Sequence, residues 1–547
     1  MRRSIKVLTI FMVLLLVALT SVTAQGTREA KKVEPKVLRV HMEATPKILM
    51  PSITAGREEE YVFELIHGTL VEIDENGKNV PSIAESFEIS SDKLTWTFKL
   101  KKGVKFHDGE ELTAEDVAFS IEVYTHPVLG QWWQANYISI FGAQEFYKGT
   151  ADKIAGVKII DDYTIAITTS APNAALPATF VQTKIYPKHV WEGVPKTEKD
   201  YATLASTPRG LIGAGPFKAV ELVTDQYIKF VAHDQYFKGR PKLDEMYHIY
   251  APADTGLAML ETGEVDLVYE VAYPEVDRVK KIAGIKVETA PNAQFVWWIR
   301  FNLREKNPSP IKKFLLDSRF RTAIGMVLDR QGFAQSVMRG YAKVTDTHAY
   351  SIPWTVPANL PPLNYDPTGA KKILQDIGWN FDKDVVRILV YPSNAARDQL
   401  APILQAALAE IGVKCVIDSK DLAAARVDMY ETFNYDIVVG GWLQPNDPSL
   451  WTVNLASAEA GGGRGNEGYA NKRVDELFEL GRQAFDFAEQ QKIYQELVLL
   501  FRNDLPKIPV VFPEIVVAYT DRLQNFVLAP QRGLGARFVE AYKWDLK

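Results

Sequence analysis

Cysteine is nearly absent from this chain: 547 residues contain one, Cys415. An intrachain disulfide is therefore excluded, and no cysteine stands near the N-terminus to carry a lipid anchor. Charge of one sign is also lacking. The net charge is −5 with both signs interspersed, which leaves no electrostatic footprint for nucleic acid or an anionic membrane. Histidine is sparse, with eight residues and no pair at i,i+4, so no metal site of ordinary spacing is predicted. HExxH, a GxSxG elbow and a cysteine nucleophile are all missing, so those hydrolase classes have no support. Gly461-Gly462-Gly463-Arg464-Gly465 precedes no lysine-serine pair and is read as a loop. Gly210, Gly213 and Gly215 have only the reversed spacing GxxGxG, and Pro216 cannot open a dinucleotide-binding helix there, so a dinucleotide fingerprint is rejected.

Long apolar runs are confined to the start. Arg2, Arg3 and Lys6 precede Val7 to Leu19, and Val22-Thr23-Ala24 fits a small-residue cleavage site. The expectation is a signal peptide over residues 1–24, a charged mobile leader over 25–36, and export to a periplasm, with release to the outside as the alternative. An exported chain without disulfides holds together by burial, and at about 150 residues per domain this one has material for three or four units.

Strand and helix patterns alternate from Val37 to the end, which predicts an α/β fold. Leu94, Trp96, Phe98 and Leu100 alternate with polar residues as in a half-buried strand, and Val104 and Phe106 read as a second short one. His107-Asp108-Gly109 reads as a turn, and Thr113 with Asp116 has capping-box spacing for a helix from Ala114. The acids from Asp108 to Asp116 are thus assigned to a turn and a helix N-terminus, where the dipole favours them, rather than to acid–base chemistry. Helices Pro367–Ile377 and Ala401–Ile411 end at Gly378 and Gly412, with strands at 385–390 and 413–417. Helices are also read at 472–480 and 488–503, and a strand-like tail at 508–518. Cys415, in an apolar strand-like run, is read as a small core residue.

Seven segments resemble, in order, those of the bacterial extracellular solute-binding proteins of family 5, the peptide/nickel/opine-type receptors of ABC importers. They are AESFEIS with the LTWTFKLKKGVKFHDGEELTAEDVAFS run (84–120), GAGPF (213–217), YFKGRPKLDEM (236–246), LETGEVDL (260–267), the 314–342 stretch, YDPTGAKKILQDIGW (365–379) and NEGYANKRVDELF (466–478). The resemblance implies a bilobal, Venus-flytrap α/β fold with an extra domain inserted in the first lobe. It places lobe I at 37–80, 210–291 and 505–547, the insert at 81–209, and lobe II at 292–504. It implies a monomer that binds a small solute without catalysis or cofactor and delivers it to a membrane permease powered by ATPases.

Candidate ligand residues follow from that frame. Trp297 and Trp298 lie on the strand crossing into the second lobe and face opposite ways. Trp132 and Trp133 lie in a loop of the insert, where exposed rings would favour a ligand or interface role. In peptide-binding members, the segment matching GGWLQPNDPSLW (440–451) carries an acid that anchors the peptide ammonium. Here Gln444 takes that place, while Asn446 and Asp447 keep the end of the motif, and Asp447 is open to a turn-starting role or, through a shifted loop, to the ammonium-anchoring one. An amide beside Trp442 and Trp451 suits a hydroxyl-rich ligand as well, so an oligosaccharide rivals an oligopeptide. A glycoside hydrolase, needing two facing carboxylates, and a periplasmic chaperone, needing an exposed apolar groove, are the rival classes. The family includes nickel and haem binders, which directs attention to His67 and His348, although no metal is expected.

Overall fold

In the computed structural model, residues 34–547 are described except 55, 76, 131–132, 292–294, 393, 444, 446, 460–462 and 530–537. Strand β1 (Val37–Met42) leads into helix α1 (Arg57–Ile66). A four-stranded antiparallel sheet follows, from β2 (Ala84–Ile89), β3 (Thr95–Leu100), β4 (Val157–Asp161) and β5 (Thr164–Thr168), in the order β2-β3-β5-β4. Trp96, Phe98 and Leu100 of β3 are buried, as the alternation predicts. Val104 to Phe106 makes only an isolated bridge, Lys105 to Glu111, and no strand. Helix α2 (Ala114–Thr125) starts at the predicted capping box, where the Thr113 N–H donates to the Asp116 carboxylate at 2.9 Å.

The main sheet has twelve strands. In chain order after β1 they are β6 (Phe217–Val223), β7 (Tyr227–Ala232), β8 (Glu245–Tyr250), β9 (Leu267–Tyr269), β10 (Ile285–Pro291), β11 (Phe295–Phe301), β12 (Ala342–Val344), β13 (Val385–Val390), β14 (Lys414–Ser419), β15 (Ile437–Leu443) and β16 (Lys507–Thr520). Their order is β14-β13-β15-β11-β16-β9-β1-β8-β7-β6, with β10 and β12 also paired to β16. β16 joins the two halves. Its first residues pair with β11 and its last with β9 and β10. Pro509 lacks an N–H for the ladder, and the register against β11 shifts between Trp297 and Trp298 beside it.

The two main hydrophobic clusters divide along the same line. One draws on residues from 38 to 269 and again from 515 to 546, the other on residues 296 to 512. The fold is thus bilobal α/β, with the small sheet's Trp96, Phe98, Ile165 and Ile167 sharing the first lobe's cluster. In the second lobe, α3 (Arg330–Ser336), α4 (Pro367–Asp376), α5 (Leu400–Glu410), α6 (Lys472–Gln483) and α7 (Phe487–Asp504) flank the sheet. Gly378 and Gly412 take positive φ past the ends of α4 and α5, the left-handed stop that glycine permits. No described helix is long and apolar enough to cross a membrane.

Candidate functional site

In α/β sheets, ligands meet the carboxyl ends of parallel strands. In the first lobe β1 runs parallel to β9, and in the second β13 runs parallel to β15. The residues just past these ends, Glu43, Glu270 and Tyr391, together with Gly440 and Gly441 late in β15, mark the facing edges of the lobes. Glu270 holds a φ of +66°, a costly conformation for a non-glycine residue. Arg57, the first residue of α1, gathers the acids there: its guanidinium lies 2.7 Å from Glu58, 3.8 Å from Glu43, and closer still to Glu270.

Across from this cluster lies Arg397. Asn394 caps its short helix (Ala395–Asp398), accepting from the backbone N–H groups of Ala396 and Arg397. A Cβ on Gly441 would lie 2.9 Å from an Arg397 guanidinium nitrogen and 2.4 Å from Cζ of Phe295. Only glycine leaves that space. Burial, then the positive charges of Arg300 and Arg57, lower the Arg397 pKa against the opposing pull of Tyr391 and Asp398. Arg57 of one lobe and Arg397 of the other therefore share one electrostatic environment.

Behind Gly440 sits a buried charge triad. Arg300 Nη1 lies 2.9 Å from Glu467, whose other oxygen lies 3.0 Å from Lys507 Nζ, and all three are almost wholly buried. A Cβ on Gly440 would lie 3.1 Å from Arg300 and 3.4 Å from the Tyr391 hydroxyl. Two cations around one carboxylate leave this wall of the second lobe electropositive.

The residues singled out from sequence are placed as follows. Trp297 and Trp298 are both buried in the second cluster. The sheet is covered on both faces, so alternation sends Trp297 against Phe333 of α3 and Trp298 against Phe501 of α7. Trp451 is fully buried against His348 and Tyr494, and its N–H donates to the Pro445 carbonyl at 3.1 Å. Asp447 Oδ1 accepts from the Ser449 N–H and hydroxyl at 2.9 and 2.6 Å, capping the turn Pro448–Trp451, and burial raises its carboxyl. Trp133 is buried rather than exposed, packed in the first cluster with its N–H toward the Thr54 carbonyl at 3.4 Å. Trp132, Gln444, Asn446 and the Trp442 side chain lie outside the described residues. His67 and His348 are buried and well separated, in different lobes, and no metal-holding group of three is found among the described residues. Cys415 is half-buried, its thiol pushed up to about 12 by burial.

Sequence reasoning missed Glu43, Arg57, Glu270, Tyr391 and Arg397. Their signal was available: Glu43, Glu270 and Tyr391 directly follow strands, Arg57 opens α1, Arg397 lies in the short helix soon after β13, and Gly440-Gly441 breaks an apolar strand without a turn. A second cleft, on the first lobe, is lined by Glu60, His67, Glu72, Lys184, Tyr236 and Lys238. Its cations are already paired, Lys184 with Glu60 and Lys238 with Glu72.

The sequence profile described as "Bacterial extracellular solute-binding proteins, family 5 Middle" matches residues 78–463. The chain belongs to this family. Among family 5 relatives, it is 26% identical over 494 residues to the oligopeptide-binding protein AppA of Bacillus subtilis (strain 168), covering 86% of this chain and 85% of that one. It is 28% identical over 491 residues to heme-binding protein A of Haemophilus influenzae, with 85% of each chain covered. The solved structure of B. subtilis AppA in complex with a nonapeptide superposes with a TM-score of 0.79 at 24% identity, covering 94% of this chain and 100% of that one. Family 5 membership agrees with the bilobal fold and with the order of the seven segments.

Proposed function

We infer that this protein is the exported receptor of an ABC importer. It captures a short oligopeptide or similar carboxylate-bearing solute between its lobes and presents the closed complex to a membrane permease. The observation that carries this reading is the guanidinium of Arg397 set against Gly441 at the edge of the second lobe, where the positive charge of Arg57 in the first lobe still reaches it. A guanidinium held at a strand end is suited to a bidentate carboxylate contact, which is stronger than a neutral hydrogen bond. Names of relatives, an oligopeptide-binding and a dipeptide-binding protein among them, support the peptide class.

The lobe boundaries fit this reading as proposed: lobe I at 37–80, 210–291 and 505–547, the insert at 81–209 and lobe II at 292–504. The receptor acts as a monomer, binds without chemistry, and loses residues 1–24 on export. Solute bridging both lobes favours the closed form because it contacts both only there. The oligosaccharide reading rests on Trp442 and Gln444 with Trp132, since the Trp451 and Trp133 rings are packed in the core.

The test is calorimetry with a panel of defined di- to nonapeptides and their C-terminal amides. The free acids are expected to bind, and amidation to weaken them at least ten-fold. Equal binding of acid and amide, or binding of oligosaccharides alone, would overturn it.

A further inference from the structure

Two loops of the inserted segment reach the second lobe at one place, the C-terminal end of α6. The Ala174 N–H donates to the Arg482 carbonyl at 2.7 Å. Arg482 lies in the last turn of α6, where carbonyls have no partner within the helix. The Lys93 ammonium stands 5.2 Å from the centroid of the Phe485 ring, just past the same helix end. A cation there also meets the negative end of the helix dipole.

Both loops are firmly mounted. The Asn173 carbonyl accepts from the Trp96 indole at 2.9 Å, its side-chain amide donates to Ser139 at 3.1 Å, and its Oδ1 accepts from the Ala175 N–H at 3.1 Å. Lys93 closes the β2–β3 turn at a φ of +62°, its N–H donating to the Ser90 carbonyl at 3.0 Å. Phe485 itself is still 37% exposed and Phe487 57% exposed, so this corner of the second lobe presents aromatic surface.

We propose that these contacts form a latch by which the inserted segment fastens the second lobe in the closed arrangement, separately from the strands that join the lobes. This rests on the reading of a two-lobed receptor that closes by hinge motion. Lys93 and Ala174 are far in sequence from Arg482 and Phe485 and lie across the hinge from them, so the contacts form on closure and break on opening. The insert thereby stabilises the closed form by protein–protein contacts that do not depend on which solute is bound.

The test is hydrogen exchange at the Ala174 amide in the solute-free full chain, comparing wild type with Lys93→Ala and Phe485→Ala. An exposed cation–π contact corresponds to roughly a two- to five-fold shift in an opening equilibrium. Both variants are expected to exchange faster at Ala174 by about that factor, with the amides of Trp96 to Phe98 unchanged. Unchanged exchange at Ala174 in both variants would overturn the latch, as would acceleration that spreads equally to β3, which would signal loosening of the insert itself. Since no solute is present, a failure of solute capture leaves this readout intact, and the converse also holds.

Discussion

His107 and Gly213 are bonded to each other twice: the His107 N–H donates to the Gly213 carbonyl at 2.9 Å, and the Gly213 N–H donates to His107 Nδ1 at 3.2 Å. His107 Nε2 lies 3.1 Å from the Gly215 carbonyl. A ring that accepts at Nδ1 and donates at Nε2 is the neutral tautomer, and protonation would cost it the Gly213 bond. The HDG turn after β3 is thus stapled to the GAGPF loop about a hundred residues later.

Replacing His107 by Phe keeps the ring volume and leaves the Gly213 N–H without its partner. Each buried polar group left unpaired costs about 1–3 kcal/mol. Urea unfolding of His107→Phe should show a loss of that size, and an unchanged midpoint would contradict the staple.

Acid sensitivity follows from burial. His67, His248 and His348 are fully enclosed, and burial lowers each to about 3. The unfolded chain takes up protons near pH 6.5, while these folded rings refuse them until about pH 3. Their contribution to stability is therefore complete above pH 6.5 and falls as pH drops, by about 1.4 kcal/mol per unit for each ring. Buried carboxyls raised by desolvation, Glu60 and Asp436 among them, act in the opposite sense. A difference between variants isolates the histidine part. His248 packs against Phe230 and Phe538, with no hydrogen-bond partner for either ring nitrogen among the described residues. His248→Phe should flatten the fall in stability between pH 6.5 and 4.5 by roughly one ring's share, and parallel curves would refute the assignment.

Glu467 is the sole acid in the Arg300–Glu467–Lys507 triad. Glu467→Gln leaves two buried cations without a counter-charge, and breaking such a pair costs about 3–5 kcal/mol. Guanidinium unfolding should show a loss of that order, whereas a loss below 1 kcal/mol would mean that water reaches the triad.

Arg397→Met keeps most of the side-chain volume and removes the charge. Its affinity for carboxylate-bearing peptides should fall about ten- to hundred-fold, as for the loss of a charged hydrogen bond, with little change for their amides. Calorimetry on both ligand forms checks this, and an equal loss for acid and amide would reassign Arg397 to a structural role.

Most of the architecture was legible because its signals are local. The 385–390 and 414–419 strands, the α4 and α5 helices with their glycine stops, and the Thr113 cap all follow from period, propensity and turn chemistry within a few residues. The candidate site was less legible, because Arg57 and Glu270 pair across 213 residues of sequence and the Arg57 charge reaches Arg397 only in the folded chain. Tryptophan misled for a related reason. On β11 a sheet covered on both sides buries Trp297 against Phe333 and Trp298 against Phe501, whereas Trp133 and Trp451, off the strands, are buried by the packing of their own turns.

Native mass spectrometry of the purified protein, followed by denaturation to identify whatever co-purified, reads the solute itself. The expected result is a released series of peptides or related carboxylates in one-to-one complex with a monomer. A hexose series, or a protein that carries and binds no small solute at all, would contradict it.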